Sequence, residues 1–173
     1  MKDLKFSINC ICLLLVSLAF SACKKDKEPS SANHLSFKID GVYWESDKEE
    51  VFGSYHLSEA IGPKLINIAG ARGSGSTQQT FNINLFNTDV AGLYSVNIPI
   101  GATAGINENV AQFSNLTSTN YLCGGTLQGS QFNINVTKVS KSPQIVEATF
   151  SGFMECVDGN TIVISEGKFI YHE

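Results

Sequence analysis

The sequence predicts an all-β fold, an antiparallel β-sandwich of about ten short strands. Three observations carry that expectation. Apolar and polar residues alternate with a period of two over most of the chain, turn-forming glycines recur at short spacing, and no segment sustains a helical repeat. Alternation does not distinguish two packed sheets from one closed sheet, so a flattened or lipocalin-like β-barrel stands as the alternative.

The first 22 residues are set apart from this pattern. Lys2 and Lys5 flank Asp3, an apolar run extends from Phe6 to Phe20, and Ser21-Ala22 precede Cys23. This is the three-part layout of a secretory signal. A transmembrane helix is the rival reading, but a span needs about 20 apolar residues and this run is shorter. Leu18-Ala19-Phe20-Ser21-Ala22-Cys23 resembles the lipobox of bacterial lipoproteins, with Phe20 where leucine is usual. The resemblance implies cleavage before Cys23 and a covalent diacylglycerol and fatty acid on that residue; no other cofactor is expected. Acyl chains contribute about 0.8 kcal/mol per buried methylene, so two or three make a permanent anchor. Ordinary secretion with a free thiol at Cys23 is the plainer alternative.

Removing 22 of 173 residues leaves 151, one domain's worth, with ten basic and fifteen acidic residues and a net charge of −5. That acidity, without a basic cluster beyond residues 24–27, argues against nucleic-acid binding. Residues 23–34 are polar, charged and broken by Pro29-Ser30-Ser31, and are expected to form a flexible tether; residues 35–173 form a single β domain. Lys24-Lys25-Asp26-Lys27-Glu28 resembles in position the charged export signal of surface lipoproteins of Bacteroidetes type, though it is lysine-rich where those are usually acidic. Cys123 and Cys156 are the cysteines left for a disulfide in an oxidising envelope; two buried thiols are the alternative.

Strands then follow in order. Phe37 and Ile39 alternate with Ser36 and Lys38, and Asp40-Gly41 turns the chain into Val42-Tyr43-Trp44-Glu45, a hairpin by pattern and turn chemistry. Val51 to Leu57 and Leu65 to Ala69 are strands, with Gly70 to Gly75 a loop. Phe-Asn-Ile-Asn occurs twice, at Phe81 and at Phe132, each time as a half-buried strand. Leu93 to Ile98 is strand-like, a helical turn is expected around Glu108 to Gln112, and Ala111 to Leu116 pairs with Thr119 to Cys123. Ile145 to Met154 places Val146, Ala148, Phe150 and Met154 on one face. Asp158-Gly159-Asn160 returns the chain into Thr161 to Tyr171, where Gly167 suggests a bulge.

Phe37-x-Ile39-Asp40-Gly41-x-x-Trp44, with Phe150-Ser151-Gly152-Phe153 and Glu166-Gly167-Lys168-Phe169, is similar to the opening and closing hairpins of small all-β Bacteroidetes lipoproteins of unknown function. The resemblance implies an envelope lipoprotein, lipid-anchored at the outer membrane and facing either the periplasm or the surface, with no assigned activity or site residues.

The residues offer little for catalysis. His34 and His172 lie near the domain's ends, His56 stands alone, and no paired metal-ligand or nucleophile-elbow spacing occurs, so no metal site is expected. Gly70 to Gly75 lacks the Lys-Ser/Thr of a phosphate loop, and Asp158-Gly159-Asn160 is explained by a turn. Glu147, Glu155 and Glu166 could serve glycoside hydrolysis only if paired across a cleft. The expectation is therefore a noncatalytic binding or structural module for an envelope protein or glycan, with Tyr43, Tyr55, Phe86 and Tyr121 as exposed contact rings. A carrier of a small apolar ligand inside a barrel is the second expectation.

Overall fold

The computed structural model describes residues 33–56, 64–102, 108–117 and 122–173, with backbone alone at 54–56. Residues 1–22, Cys23 and the tether to residue 32, the side chains of Tyr55 and His56, and Tyr121 lie outside the described residues. Among the described residues, eleven strands form two antiparallel sheets. β1 (His34–Ile39), β2 (Val42–Glu45), β6 (Gly92–Asn97), β9 (Gln131–Lys141), β10 (Gln144–Glu155) and β11 (Thr161–His172) make the first. Its order is β2-β1-β11-β10-β9-β6. β3 (Val51–His56), β4 (Leu65–Arg72), β5 (Gln79–Phe86), β7 (Val110–Asn115) and β8 (Leu122–Gly124) make the second, in that order. The two sheets do not close on one another, so the architecture is a sandwich, and the barrel with its interior ligand is set aside.

The alternating residues explain the layering. Leu35, Phe37, Phe132, Ile134, Val136, Phe150 and Phe169 of one sheet meet Ile66, Ile68, Phe81, Ile83, Leu85 and Phe113 of the other, all at most 5% exposed. Aromatic rings fill the centre. Phe81 stacks on Phe150 at 5.0 Å between centroids, Phe150 on Phe132 at 5.8 Å, and Phe37 on Trp44 at 4.5 Å. Such pairs add about 0.5–1.5 kcal/mol each beyond the area they bury. Trp44 is buried with its indole N–H donating to Gln79 Oε1 at 2.8 Å, which removes the cost of an unpaired polar atom in the core.

Turn chemistry fixes the opening hairpin. Asp40 and Gly41 both have positive φ, 49° and 84°, as a two-residue type I′ turn requires. Asp40 also ties this turn to β11: its N–H donates to the Val163 carbonyl at 2.9 Å and its Oδ1 accepts from Val163 N at 2.8 Å. In β11, the four residues Ile164 to Gly167 oppose three on β10, Phe150 to Gly152, and the β1 pairing shifts at the same place. The extra residue makes the expected bulge at Glu166 (φ 54°) and Gly167. Gly167 is required there, because a Cβ would collide with the Phe150 ring.

Several expectations are corrected. Residues 110–112 belong to β7 and not to a helical turn, since Ala111 and Phe113 alternate into the core. β4 runs on to Arg72, so Gly70 is a buried strand residue and the turn starts at Gly73. His34 opens β1 and is not part of the tether; its ring sits 3.1 Å from Glu45 and 2.8 Å from Ser36 Oγ. β7 and β8 do pair, Phe113 opposite Cys123. Cys123 and Cys156 are joined by a disulfide, which ties the edge of the second sheet to the end of β10 in the first.

Candidate functional site

The strongest concave surface lies on the outer face of the six-stranded sheet. Phe132, Ile134 and Val136 of β9 point into the core, so Gln131, Asn133 and Asn135 point outward. The same alternation on β10 turns Thr149, Ser151 and Phe153 outward, and on β6 Leu93, Ser95 and Asn97. Register aligns these side chains in rows across the strands. One row reads Asn97, Gln131, Phe153, Val163. The next is Ser95, Asn133, Ser151, and the third Leu93, Asn135, Thr149, Lys168. Neighbouring strands stand about 4.8 Å apart, and outward residues along one strand about 6.6 Å apart. A hollow of about 690 Å³ opens over Asn133, Asn135, Thr149 and Ser151, bounded by the β11 bulge. A second, also about 690 Å³, lies further along the same face around Phe153, Glu155 and Thr161.

On β6, from Gln131 to Asn135 of β9 and from Thr149 to Phe153 of β10, the outward side chains carry no charge. Lys168 and Glu166 line the hollow itself, Glu166 paired with Lys38 at 2.7 Å, and Lys138 stands exposed further along β9, opposite Glu147. Asn133 and Asn135 are exposed and make no side-chain hydrogen bond among the described residues. The counterpart of Asn135 in the first Phe-Asn-Ile-Asn differs. Asn84 is half-buried and accepts from Asn67 Nδ2 at 2.7 Å, so that amide is already engaged. An amide both donates and accepts, as a hydroxyl does. Open amides in rows therefore complement a ligand with hydroxyls at many positions.

The contact rings named from sequence are distributed unevenly. Tyr43 lies 57% exposed on β2, opposite Lys38 on this face, with its hydroxyl donating to Glu45 Oε2 at 3.1 Å. Phe86 is a correction: it is half-buried at the end of β5, an interior strand, where it stands opposite Leu65 of β4. Phe153, which sequence reasoning passed over, is the aromatic ring of β10 on the hollowed face, 37% exposed. Its signal was its position, in phase with Thr149 and Ser151 and out of phase with Phe150 and Met154.

The three glutamates are not brought together as an acid–base pair. Glu147 and Glu155 lie eight positions apart on β10, about 26 Å by strand rise. Glu166 turns towards Lys38 on β1. Paired glycosidase carboxyls stand about 5–9.5 Å apart. Glu147 instead meets His172 Nε2 at 2.8 Å and Lys138 Nζ at 3.5 Å. The hydrogen bond from His172 and the nearby Lys138 charge hold its carboxyl below the usual range, against an opposing effect of burial. No group of three or more potential metal ligands occurs among the described residues. Asp158 accepts from Asn160 N at 2.9 Å and from Asn160 Nδ2 at 2.7 Å, the contacts of a turn.

Comparison with family models, with curated proteins and with solved structures returned no match to the chain.

Proposed function

We propose that the protein is a lipid-anchored, noncatalytic binding module of the bacterial outer membrane, held at Cys23, and that the outer face of its six-stranded sheet takes a glycan. One observation supports the ligand class: rows of open amides and hydroxyls across β9 and the middle of β10, bordered by Lys168, with a phenyl ring in phase among them. The anchor reading rests on the lipobox resemblance at residues 18–23 and on the likeness of the opening and closing hairpins to β-rich envelope lipoproteins.

The test is retention of the full chain, in detergent micelles, on immobilised neutral and acidic polysaccharides. Asn133→Ala with Asn135→Ala is expected to lower retention at least tenfold with the unfolding midpoint unchanged. Retention on none of the polysaccharides would overturn the glycan reading. The anchor is tested separately: Cys23→Ala should release the protein from the membrane fraction, and continued membrane association would refute lipidation there. Protease treatment of intact cells would then assign the domain to the surface or the periplasm.

A further inference from the structure

We propose that the ligand is a neutral oligosaccharide lying lengthwise along β10, with one chain end seated in the distal hollow against Phe153. This inference rests on the glycan reading and adds direction, terminus and charge class to it. The two hollows share one strand. Thr149 and Ser151 of β10 line the first, and Phe153 and Glu155 line the second, so outward side chains pass from one into the other. Thr149 to Glu155 spans six positions, about 20 Å. That is a track for several linked sugars and too long for one ring.

The track is walled at its distal end. The segment at Ile98–Gly101 and the turn at Thr126–Gly129 stand together beyond the distal hollow. They are joined by hydrogen bonds from Gly129 N to the Ile98 carbonyl and from Gly101 N to Gln128 Oε1, both 2.6 Å. Ser130 Oγ accepts from Glu155 N at 3.1 Å and fastens this wall to β10. Ile100 and Phe153 give the hollow its apolar surface, against which the carbon face of a terminal ring can lie. The wall meets a chain end, whereas the open hollow over Asn133 and Asn135 receives the chain's interior.

Charge selects the class. Among the described residues the distal hollow is lined by one carboxylate, Glu155, held by the Thr161 hydroxyl at 2.9 Å, and by no cation; Lys168 stands at the other hollow, beside Thr149. A uronic acid brought there would face like charge at close range, which is unfavourable. Neutral sugars meet no such opposition.

The experiment titrates the full chain, in detergent micelles, with neutral gluco- and manno-oligosaccharides of increasing length. Each is also supplied reduced at one end or capped at the other, and oligogalacturonate is the acidic probe. Affinity is expected to rise with length and then level. Blocking one particular end should lower it at least tenfold, and oligogalacturonate should bind at least tenfold more weakly than its neutral equivalent. Phe153→Ala should lose about tenfold while Phe153→Tyr stays near wild type. Glu155→Gln should raise oligogalacturonate binding. If both ends can be blocked without effect, or Phe153→Ala binds normally while Asn133→Ala does not, the lengthwise, end-seated arrangement is refuted and the glycan reading survives. Equal binding of oligogalacturonate refutes the charge class. If none of the oligosaccharides binds, both the reading and the inference fall.

Discussion

Phe150 and Gly167 face each other across β10 and β11, and the pair offers a sharp test of how the core and the bulge depend on one another. Phe150 is 4% exposed and packs against Phe37, Phe81 and Phe132, with centroid distances of 5.9, 5.0 and 5.8 Å. Phe150→Ala removes those contacts and leaves a void, at a cost of about 3–5 kcal/mol. Gly167→Ala acts in the opposite sense. Its new Cβ would overlap Cδ2 and Cε2 of the same ring and approach the Phe150 carbonyl, an overpacking cost of about 1–3 kcal/mol. The two changes must couple, because truncating the ring vacates the space the new methyl needs. Relief is partial, since the carbonyl remains. The double variant should therefore be less destabilised than the sum of the singles by about 1–2 kcal/mol. Urea unfolding followed by the fluorescence of Trp44, the chain's one tryptophan, gives all three values. Additivity within about 0.5 kcal/mol would refute the reasoning, and would mean that β11 moves to admit a side chain at 167 without consulting the ring.

Three further outcomes are expected. The disulfide closes a loop with a sequence separation of 33, so Cys156→Ser should lower stability by ~3–4 kcal/mol on the chain-entropy argument and abolish the mobility shift on reduction; two freely alkylated thiols in native protein would refute the bond. Because the Glu147 carboxyl is depressed in the folded state, its stabilisation is fully present above the ordinary carboxylate range and is lost as pH falls through the folded value. Glu147→Gln should flatten that part of the stability–pH curve by about 0.5 kcal/mol, and an unchanged curve would count against the His172 contact. Trp44→Phe should cost about 1–2 kcal/mol, since Gln79 Oε1 loses the indole donor and keeps only Arg72 Nε at 2.9 Å; full stability would show that water replaces the bond freely.

The layering of the fold could be read from the sequence because burial on one face imposes a period of two, and most strands here have one wet face. Phe81, Ile83 and Leu85, and Phe132, Ile134 and Val136, were assigned inward on that ground and lie inward. The Asp40-Gly41 turn and the Gly167 bulge were legible because few residues accept the backbone those positions demand. Strand order was not legible. Periodicity describes a strand's faces and says nothing of its neighbours, so β1 between β2 and β11 could not be foreseen. The candidate site was hidden for the same reason. Asn84 and Asn135 each close a Phe-Asn-Ile-Asn, and only the partner strands decide which amide is engaged and which stays open. The residues at 110–112 misled because three positions of a strand's start look equally like a helical turn.

The chain's first and last strands are neighbours. β1 pairs with β11, and Asn33 accepts a hydrogen bond from His172 N across 139 residues of sequence. Contacts so distant in sequence make loop closure a large part of the folding barrier. During synthesis β1 and β2 can form their hairpin early, but the hairpin has no sheet to join until the final strand emerges. Removing β11 would leave β1 and β10 without their shared partner and divide the six-stranded sheet into two pieces. The six-stranded sheet therefore stays in two pieces until β11 is in place between β1 and β10.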